Sequence, residues 1–344
     1  MIIYGSSVSD ETYLGVYYKG MLLITSQKYS REVIRSINRA QTRVYVLALI
    51  VQQAHDADTI IHALNAAAHR GVDVRLMMDF STYSYLNGHL KLSGIYTQQS
   101  RLATDMVNRL RSSGVHCQWL GMNHSFLFAG RTHAKWIIAD NEVYSFGGIN
   151  LQPDFTQEAD FMLRVHDKSV AETLARLHLS IAQADKVDAA FLSQSVGCRH
   201  GTVLLDGGIP GDSIIYRRAK KLTSIASHVV VVTQYAPTGS LAKLIAQKSY
   251  AAYYNQPTSH DALTNALIWY GKKRYGITNS YTKDRYIHAK FMIYTMKDGS
   301  KTAITGSHNF ISYGGWLGTR EVALETSDAE IIAQLESYHE RYIA

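Results

Sequence analysis

One short pattern occurs twice in this chain of 344 residues, once in each half. The first copy begins with His133-Ala134-Lys135 and is followed by Gly147-Gly148-Ile149-Asn150. The second copy begins with His288-Ala289-Lys290 and is followed by Gly306-Ser307-His308-Asn309. Internal similarity of this kind is typical of a duplicated fold, in which each copy builds the same structural unit.

The hydrophobic pattern around the two copies alternates between strand and helix. The apolar run at residues 44–51 predicts a strand that is covered on both faces. The spacing of apolar residues predicts helices at 58–69 in the first half and at 213–225 in the second. The sequence therefore predicts an α/β protein of two similar domains, residues 1–190 and 191–344, each with a sheet covered by helices.

Composition indicates a folded protein with buried cores and an anionic partner, but it does not identify that partner. Hydrophobic residues make up 46% of the chain and charged residues 18%, which supplies enough apolar surface for buried cores. The net charge of +7 and a pI near 9.1 favour anionic partners such as phosphates, nucleic acid or anionic lipid. The two cysteines have neither a disulfide framework nor the spacing of metal ligands.

The sequence predicts neither a membrane span nor a signal peptide. Its longest apolar run, residues 44–51, is far shorter than the roughly 20 residues of a spanning helix. Residues 1–5 do not begin a basic stretch followed by a long apolar one. We therefore expect a cytoplasmic protein, and the sequence leaves open both a peripheral contact with a membrane and the oligomeric state.

The repeated pattern brings three kinds of side chain together. Alternate residues of a strand point to the same face, so His-x-Lys presents an imidazole beside an ammonium group. In the first half, strands predicted near 133–139 and 142–146 are joined by the turn Asp140-Asn141. This hairpin returns the Gly-x-x-Asn loop to the place where the pattern began. Each copy therefore supplies an imidazole, an ammonium and a carboxamide at one spot.

The repeated pattern resembles the motif of the phospholipase D superfamily, whose members carry His-x-Lys-x4-Asp followed by Gly-Gly/Ser-x-Asn, usually twice. Residues 43–165 and 228–326 are similar to that family, as is the run at 67–74. The segment 233–237 resembles cardiolipin-synthase-like members, and the chain as a whole is similar to the cardiolipin and phosphatidylserine synthases. The resemblance implies two similar phospholipase D-like α/β/α domains packed with the active site at their interface.

The resemblance also implies a mechanism and its residues. One histidine attacks phosphorus and forms a covalent phosphohistidine, while the other protonates the leaving oxygen and then activates water or an alcohol. The lysines and asparagines hold the phosphate oxygens, and an acid orients each histidine. The implied catalytic residues are His133, Lys135, Asn150, Asp160, His288, Lys290, Asn309 and Glu321, and the implied substrate-binding residues are Gly148, Ser307 and Tyr235. The scheme requires no metal and no cofactor.

Several assignments within this site stay open at the level of sequence. Glu158 and Glu325 are the second choices for the roles of Asp160 and Glu321. Because both copies keep histidine, lysine and asparagine, the sequence does not identify the nucleophile. His308 occupies the variable position of its loop, where we expect it on the pocket wall or at the surface rather than in catalysis.

The second copy departs from the motif at one position. The first copy has Asp140 at the hairpin turn, whereas the second has Thr295 there and Asp298 only after an apparent insertion, residues 296–300. The resemblance implies that the motif aspartate supports the turn and does not touch substrate. The departure is therefore expected to alter the local fold of that hairpin more than the chemistry.

Three functions compete at this stage. The leading hypothesis is a phospholipase D-like enzyme that hydrolyses a phospholipid headgroup ester or transfers the phosphatidyl group to an alcohol. The alternative is a metal-independent nuclease of the same superfamily that cleaves DNA or RNA, and a third hypothesis is an inactive binding module.

A connection rich in tyrosine and leucine, residues 81–97, is either a lid over the site or plain packing.

Overall fold

The computed structural model describes residues 20–52, 55–80, 82–85, 98–122, 131–187, 189–256, 265, 269, 273–312 and 318–344. Within these ranges the chain forms two seven-stranded sheets. The first sheet contains β1 (Met21–Thr25), β2 (Arg43–Ala48), β3 (Asp73–Asp79), β4 (His116–Leu120), β5 (Trp136–Ala139), β6 (Glu142–Ser145) and β7 (Phe161–His166). Its strand order is β1-β7-β6-β5-β2-β3-β4.

The second sheet is built from the second half of the chain. It contains β8 (Gln194–Cys198), β9 (Gly201–Gly207), β10 (His228–Val232), β11 (Ser249–Tyr253), β12 (Phe291–Thr295), β13 (Lys301–Gly306) and β14 (Arg320–Thr326). Its strand order is β11-β10-β12-β13-β14-β9-β8. Most neighbours are antiparallel, and β10 and β11 pair in parallel, as β2 and β3 do in the first sheet.

The two sheets repeat one topology. The order β1-β7-β6-β5-β2-β3 corresponds strand for strand, and in every pairing direction, to β9-β14-β13-β12-β10-β11. Each sheet then adds one further strand, β4 beside β3 in the first sheet and β8 beside β9 in the second. The added strands therefore lie at opposite edges of the repeated unit. The predicted α/β fold with two similar halves is confirmed.

Helices cover both sheets. They are α1 (Ser26–Arg39), α2 (His55–His69), α3 (Thr82–Tyr85), α4 (Gln98–Ser112), α5 (Lys168–Lys186), α6 (Ile214–Ile225), α7 (Gly239–Ile245) and α8 (Ala329–Tyr338), with a 3-10 turn at Phe155–Gln157 and a π-helical turn at His339–Ile343. In each half, an aspartate caps the start of the helix that follows β7 or β14. Asp167 caps two amides of α5 and Asp328 caps two amides of α8, which satisfies donors that a helix start leaves unpaired.

Three hydrophobic clusters arrange these elements in layers. One cluster packs α1, α2 and α4 on the outer face of the first sheet, and another packs α6 and α7 on the outer face of the second. The third joins the inner faces of both sheets with α5 and α8 between them. Gln334 of α8 also accepts from the Leu23 amide and donates to the Met21 carbonyl of β1. The two halves therefore share one continuous core.

Several elements differ from the sequence-based expectations. Strands β1, β8, β9 and β11 have no counterpart among the predicted strands; β1 leads directly into α1 without turn residues, and β8 carries polar side chains and a glycine. The sequence also predicts a helix at 260–270, and these residues lie largely outside the described ones. The repeated His-x-Lys segments do not open strands but lie just before β5 and β12, each of which begins at the residue after the lysine.

The structure also bears on two sequence-based expectations: that no helix spans a membrane, and that residues 81–97 form either a lid or plain packing. In the part of the chain that the structure describes, no helix is both long and apolar enough to cross a bilayer. In the 81–97 connection, Tyr83 is buried and its hydroxyl bonds to the Val51 backbone, so this residue belongs to the core and not to a lid. Residues 86–97 of that connection lie outside the described residues.

Candidate active site

Each His-x-Lys segment is bound to the opposite half of the chain through its backbone. The amides of His133 and the following residue both donate to the carbonyl of Arg320, at 2.9 Å. The amides of His288 and the following residue both donate to the carbonyl of Ala159, at 3.1 and 2.9 Å. These reciprocal contacts are β-bridges between the halves. They place each motif beside the start of a strand that comes from the other half.

The crossed backbone contacts pair each histidine with an acid. Glu321 follows Arg320, and its two carboxylate oxygens both lie 3.0 Å from Nδ1 of His133. Asp160 follows Ala159, and its Oδ2 lies 2.7 Å from Nδ1 of His288. A carboxylate at Nδ1 fixes the orientation of the ring and leaves Nε2 for chemistry.

The two Gly-x-x-Asn loops donate hydrogen bonds to the carboxylates that pair with the histidines. The amide of Gly148 donates to Asp160 at 3.2 Å, and the hydroxyl of Ser307 donates to Glu321. A Cβ on Gly148 would lie 2.3 Å from the His288 carbonyl oxygen and 2.7 Å from Asp160, so this position has room for glycine alone. Gly148 and Ser307, which the sequence suggested as substrate-binding residues, are thus placed behind the acids, and substrate contact by them stays a prediction.

A cavity of about 570 Å³ opens between the halves above both histidines. Six of the implied catalytic and substrate-binding residues line it: His133, Asn150, Tyr235, His288, Asn309 and Glu321. Asp160 is buried beneath this wall. Another cavity, of about 740 Å³, lies beside β4 and α5. It is the larger of the two, but it contains none of the paired motif residues, so the smaller cavity is the candidate active site.

The two motif lysines are buried beneath the cavity. The Nζ of Lys135 donates to the His133 carbonyl at 2.8 Å, and the Nζ of Lys290 donates to the His288 carbonyl at 2.5 Å. Burial and the neighbouring Lys290 lower the pKa of Lys135 to about 7, and burial also lowers the pKa of Lys290. An anion in the cavity would stabilise the charged form of both lysines.

The pair of His133 and Glu321 has a defined charge state near neutral pH. Burial lowers the pKa of His133 to about 4, although the adjacent Glu321 opposes this shift. Burial also disfavours ionisation of Glu321, but His133 and other nearby donors outweigh it and hold its pKa below the usual range. A neutral His133 then donates from Nδ1 to an ionised Glu321, and its Nε2 carries a lone pair.

Several buried polar atoms of residues on the cavity wall have no hydrogen-bond partner in the part of the chain that the structure describes. The Oδ1 atoms of Asn150 and Asn309 are buried and have no hydrogen-bond partner among the described residues. His308 also lines the cavity, and its Nδ1 accepts from the Phe310 amide at 2.8 Å. The proton of a neutral His308 is therefore on Nε2, which is buried and likewise has no described partner. This placement agrees with the expected pocket-wall position of His308.

The second-choice acids have different surroundings. Glu325 forms an ion pair with Arg218 through two guanidinium nitrogens and does not line the cavity. Glu158 lines the cavity, and its Oε2 lies 3.7 Å from Nδ1 of His288. Ligand-type atoms of Glu158, Asp160 and His288 lie within 4.8 Å of one another, close enough for a cation. Because Asp160 and His288 already satisfy each other, we assign no metal to them.

Several other residues that line the cavity were not assigned a role from sequence, among them Gln152, Gln234, Tyr286 and Thr319. Gln234 donates to the Tyr286 hydroxyl at 2.9 Å, which links two segments of the second half. Gln152, Tyr286 and Thr319 each lie two residues from a motif residue or an orienting acid. The alternation of an extended chain is the signal that could have indicated them.

The motif aspartate of the first half lies away from the cavity. Asp140 accepts from the amides of residues 41, 42 and 43, and so ties the β5–β6 turn to the start of β2. In the second half, Asp298 bonds within its own turn to Ser300, and Ser227 donates to the Thr295 carbonyl instead. The insertion therefore changes the hairpin locally, as the sequence led us to expect.

Comparison with known proteins finds a related family model and related structures. The chain carries a phospholipase D-like domain: residues 33–179 match the family model described as "Cardiolipin synthase, PLD-like domain". The resemblance inferred from the motifs is thereby confirmed. Among curated protein sequences, none matches the chain.

Solved structures show the fold of nearly the whole chain. Phosphatidylserine synthase from Haemophilus influenzae Rd KW20 is similar with a TM-score of 0.72 and 13% identity, over 94% of this chain and 87% of that one. Polyphosphate kinase from Porphyromonas gingivalis is similar with a TM-score of 0.60 and 12% identity, over 92% of this chain but 49% of that one. At these identities the likeness establishes the two-domain phospholipase D-like fold and not the reaction.

Proposed function

We propose that this protein hydrolyses or transfers a phosphodiester of a phospholipid through a covalent phosphohistidine. The observation that carries the proposal is the pair of crossed contacts, His133 with Glu321 and His288 with Asp160, beneath one cavity. Both Nδ1 atoms are engaged by carboxylates, so both Nε2 atoms remain for reaction with one bound phosphorus.

The reaction follows in two displacements. In the first, Nε2 of one histidine attacks phosphorus, and the leaving oxygen takes a proton from the other histidine. In the second, the other histidine removes a proton from water or an alcohol, whose oxygen displaces the first histidine. Water gives hydrolysis and an alcohol gives transfer, so one site supports both reactions.

The remaining groups suit the charge of the transition state. Lys135 and Lys290 lie beneath the histidines, and the carboxamides of Asn150 and Asn309 reach the cavity. Donors held in place by a protein stabilise developing charge on phosphate oxygens without reorganisation. We assign the lysines and the asparagine amide nitrogens to the two non-bridging oxygens.

The choice of a phospholipid rests on similarity and charge. The matched family model is described as a cardiolipin synthase domain, and one similar structure is a phosphatidylserine synthase. The net charge of +7 suits an anionic substrate or surface. A polyphosphate kinase shares the fold, so the substrate has to be tested directly.

The test compares lipid and nucleic-acid substrates in one experiment. Wild type, His133→Ala and His288→Ala are assayed with EDTA present on labelled phosphatidylglycerol and on single- and double-stranded DNA. We expect turnover of lipid alone, with loss of activity in both variants, and the products distinguish hydrolysis from transfer. Cleavage of DNA alone would refute the lipid substrate, and lipid turnover that survives both substitutions would refute the two-histidine mechanism.

A further inference from the structure

The cavity of about 740 Å³ beside β4 and α5 is separate from the candidate active site. None of the residues that line it also lines the cavity between the two halves. Its volume falls within the range of roughly 300–1,000 Å³ that is usual for small-molecule sites. The chemistry of its walls therefore indicates which kind of molecule it can hold.

One face of α5 forms a wall of this cavity. His178, Ala182, Asp185 and Lys186 line it, and their spacing of three and four residues places them on the same side of the helix. Leu179 adjoins them and is 41% exposed. The smallest of these side chains, that of Ala182, lies in the middle of the face and leaves room for a ligand.

The edge of the first sheet forms another wall. β4 is an edge strand, and the consecutive residues 114–119 all line the cavity. Because alternate residues of a strand face opposite sides of a sheet, such a run shows that the cavity lies along the edge. The Arg111 side chain donates to the Cys117 carbonyl at 3.0 Å, and the Gly121 amide donates to Asp185 at 2.8 Å. These contacts obstruct the addition of a peptide strand, which favours a small molecule as the ligand.

Much of the cavity lining is apolar. The apolar residues that line it are Met77, Val115, Trp119, Met122, Leu179 and Ala182. Met122 is 53% exposed, and the Trp119 ring is held by edge-on contacts with Tyr83 at 5.1 Å and Phe80 at 6.0 Å. Unbranched methionine side chains adapt to flexible partners, so this lining suits an alkyl chain.

The charged residues around the cavity are mainly basic. Arg75, Arg111 and Lys186 line it, and Asp185 is the one acid among its described lining residues. Asp73, outside the lining, forms an ion pair with Arg75 at 3.0 Å. Even with Asp73 included, the positive charges outnumber the negative ones. The cavity therefore favours an anion over a cation.

A buried histidine supplies an unused hydrogen-bond donor. Nδ1 of His178 accepts from the Trp136 indole at 3.2 Å, so the proton of the neutral ring is on Nε2. This Nε2 is buried and has no hydrogen-bond partner in the described part of the chain. Burial lowers the pKa of His178 to about 3, Arg75 lowers it further and Asp73 opposes the shift, so the ring is neutral near pH 7. The Nε2–H is thus the polar group that His178 can offer to an oxygen atom of a ligand.

We propose that this cavity binds a single molecule of an anionic amphiphile. The alkyl chain lies against the apolar lining, and the acidic headgroup, a phosphate or a carboxylate, lies beside Arg111 and Lys186. The Nε2–H of His178 donates to an oxygen atom of the same molecule. The site is separate from the cavity between the halves, and the inference does not depend on the proposed function.

The first test locates the ligand through tryptophan fluorescence. The probe is 12-bromododecanoate below its micelle concentration, because bromine on the chain quenches an indole only at close range. We expect quenching in wild type and in Trp269→Phe, an exposed tryptophan outside the cavity, and loss of most of it in Trp119→Phe. Equal quenching in Trp119→Phe and wild type would refute the site.

Displacement of this probe tests the chemistry of the ligand. Dodecyl phosphate should displace it, and the affinity should rise roughly tenfold for each two methylenes from octyl to dodecyl phosphate. Dodecyltrimethylammonium, which has the opposite charge, and inorganic phosphate, which has no chain, should each bind at least tenfold more weakly than dodecyl phosphate. Equal displacement by either of these two would overturn the proposal. Quenching that occurs only with brominated phosphatidylglycerol in vesicles would also overturn it, because it would assign this surface to a membrane contact.

Two variants of α5 test the two parts of the site separately. Ala182→Leu fills the middle of the helix face and should weaken binding of dodecyl phosphate at least tenfold, whereas Ala182→Ser keeps the room and should not. Lys186→Gln removes a charge beside the proposed headgroup and should weaken binding about threefold. Lys168→Gln removes the same charge from an exposed position of the same helix and should leave binding unchanged.

The matched pairs decide the outcome without any measurement of turnover. Weakening in Ala182→Leu and Lys186→Gln but not in their controls supports the site, and Lys186→Gln is a surface change that leaves the packing of α5 intact. Wild-type affinity in both Ala182→Leu and Lys186→Gln, or equal weakening in Lys168→Gln, would refute the proposal. Failure of the proposed phosphodiester chemistry would leave these binding results unaffected.

Discussion

Nδ1 of His288 lies 2.7 Å from Oδ2 of Asp160, although 128 residues separate them in the chain. The same kind of contact joins His133 to Glu321 across 188 residues. In both cases the histidine comes from one half and the acid from the other. Neither half contains both the histidine and the acid of either cavity pair, so the site depends on the shared core between the sheets.

The orienting acids should matter for rate more than for stability. Asp160→Asn and Glu321→Gln should each lower kcat by roughly 10²- to 10⁴-fold, because the ring loses the partner that fixes its tautomer. Glu325→Gln is the control, since that acid pairs with Arg218 away from the cavity and its loss should leave kcat within about twofold. Steady-state kinetics on the identified substrate provide the measurement, and a similar loss in Glu325→Gln would contradict this assignment.

Gly148→Ala should disrupt the site although it removes no functional group. The new methyl would lie 2.3 Å from the His288 carbonyl and 2.7 Å from Asp160, so both must shift. We expect kcat to fall by roughly 100-fold, since small displacements of catalytic groups have effects of this order. Gly197→Ala is the matched control, because a Cβ there meets nothing within 4 Å. Normal kcat in Gly148→Ala would show that the close packing is not required.

Binding of an anion should be coupled to proton uptake. The pKa of Lys135 lies near 7 and that of Lys290 is also lowered, so near pH 8 Lys135 is largely neutral in the free protein. A bound dianion favours the ammonium form and raises these pKa values, so protons are taken up on binding between about pH 7 and 10. Calorimetry with tungstate in buffers of different ionisation enthalpy measures this uptake, and Lys135→Met should reduce it. Buffer-independent heats would exclude the coupling.

Asp140 should contribute to stability and not to the reaction. Its carboxylate binds three amides at the start of β2, and these hydrogen bonds lower its pKa even though partial burial opposes ionisation. Asp140→Ala should lower the free energy of unfolding by about 1–2 kcal/mol, a value reduced by solvent screening. This contribution is present above the ordinary aspartate pKa and is lost as the pH falls through the lowered folded value.

Urea unfolding at several pH values checks this prediction. Asp298→Ala is the matched control in the second half, because that carboxylate is exposed and bonds only within its own turn among the described contacts. It should leave the urea midpoint nearly unchanged. A large decrease in kcat of folded Asp140→Ala would instead place Asp140 in the reaction.

Activity should not require a divalent metal. The proposed reaction assigns proton transfer to two histidines and charge stabilisation to lysines and asparagines, so EDTA should leave the rate unchanged. The measurement is turnover before and after dialysis against EDTA, with Mg²⁺, Ca²⁺ and Zn²⁺ added back separately. Loss of turnover on dialysis and its recovery with one of these ions would refute the two-histidine scheme.

The sequence alone indicated much of the local organisation. The apolar runs and helical spacing predicted the α/β pattern, because periodicity reports which face of an element is buried. The repeated His-x-Lys and Gly-x-x-Asn segments identified two related sites and the residue types in them. Strands such as β1 and β9 were missed, since each forms through pairing with a distant strand, β7 or β14, that a local pattern does not reveal.

What the sequence by itself determined is therefore the duplicated α/β fold and the chemical groups that each copy carries. The tertiary structure decided which acid serves which histidine, and it placed Glu158 beside His288 while Thr319 occupies the equivalent position. The reason is physical: local periodicity depends on neighbouring residues, whereas a hydrogen bond across 128 or 188 residues depends on how two sheets pack around one core.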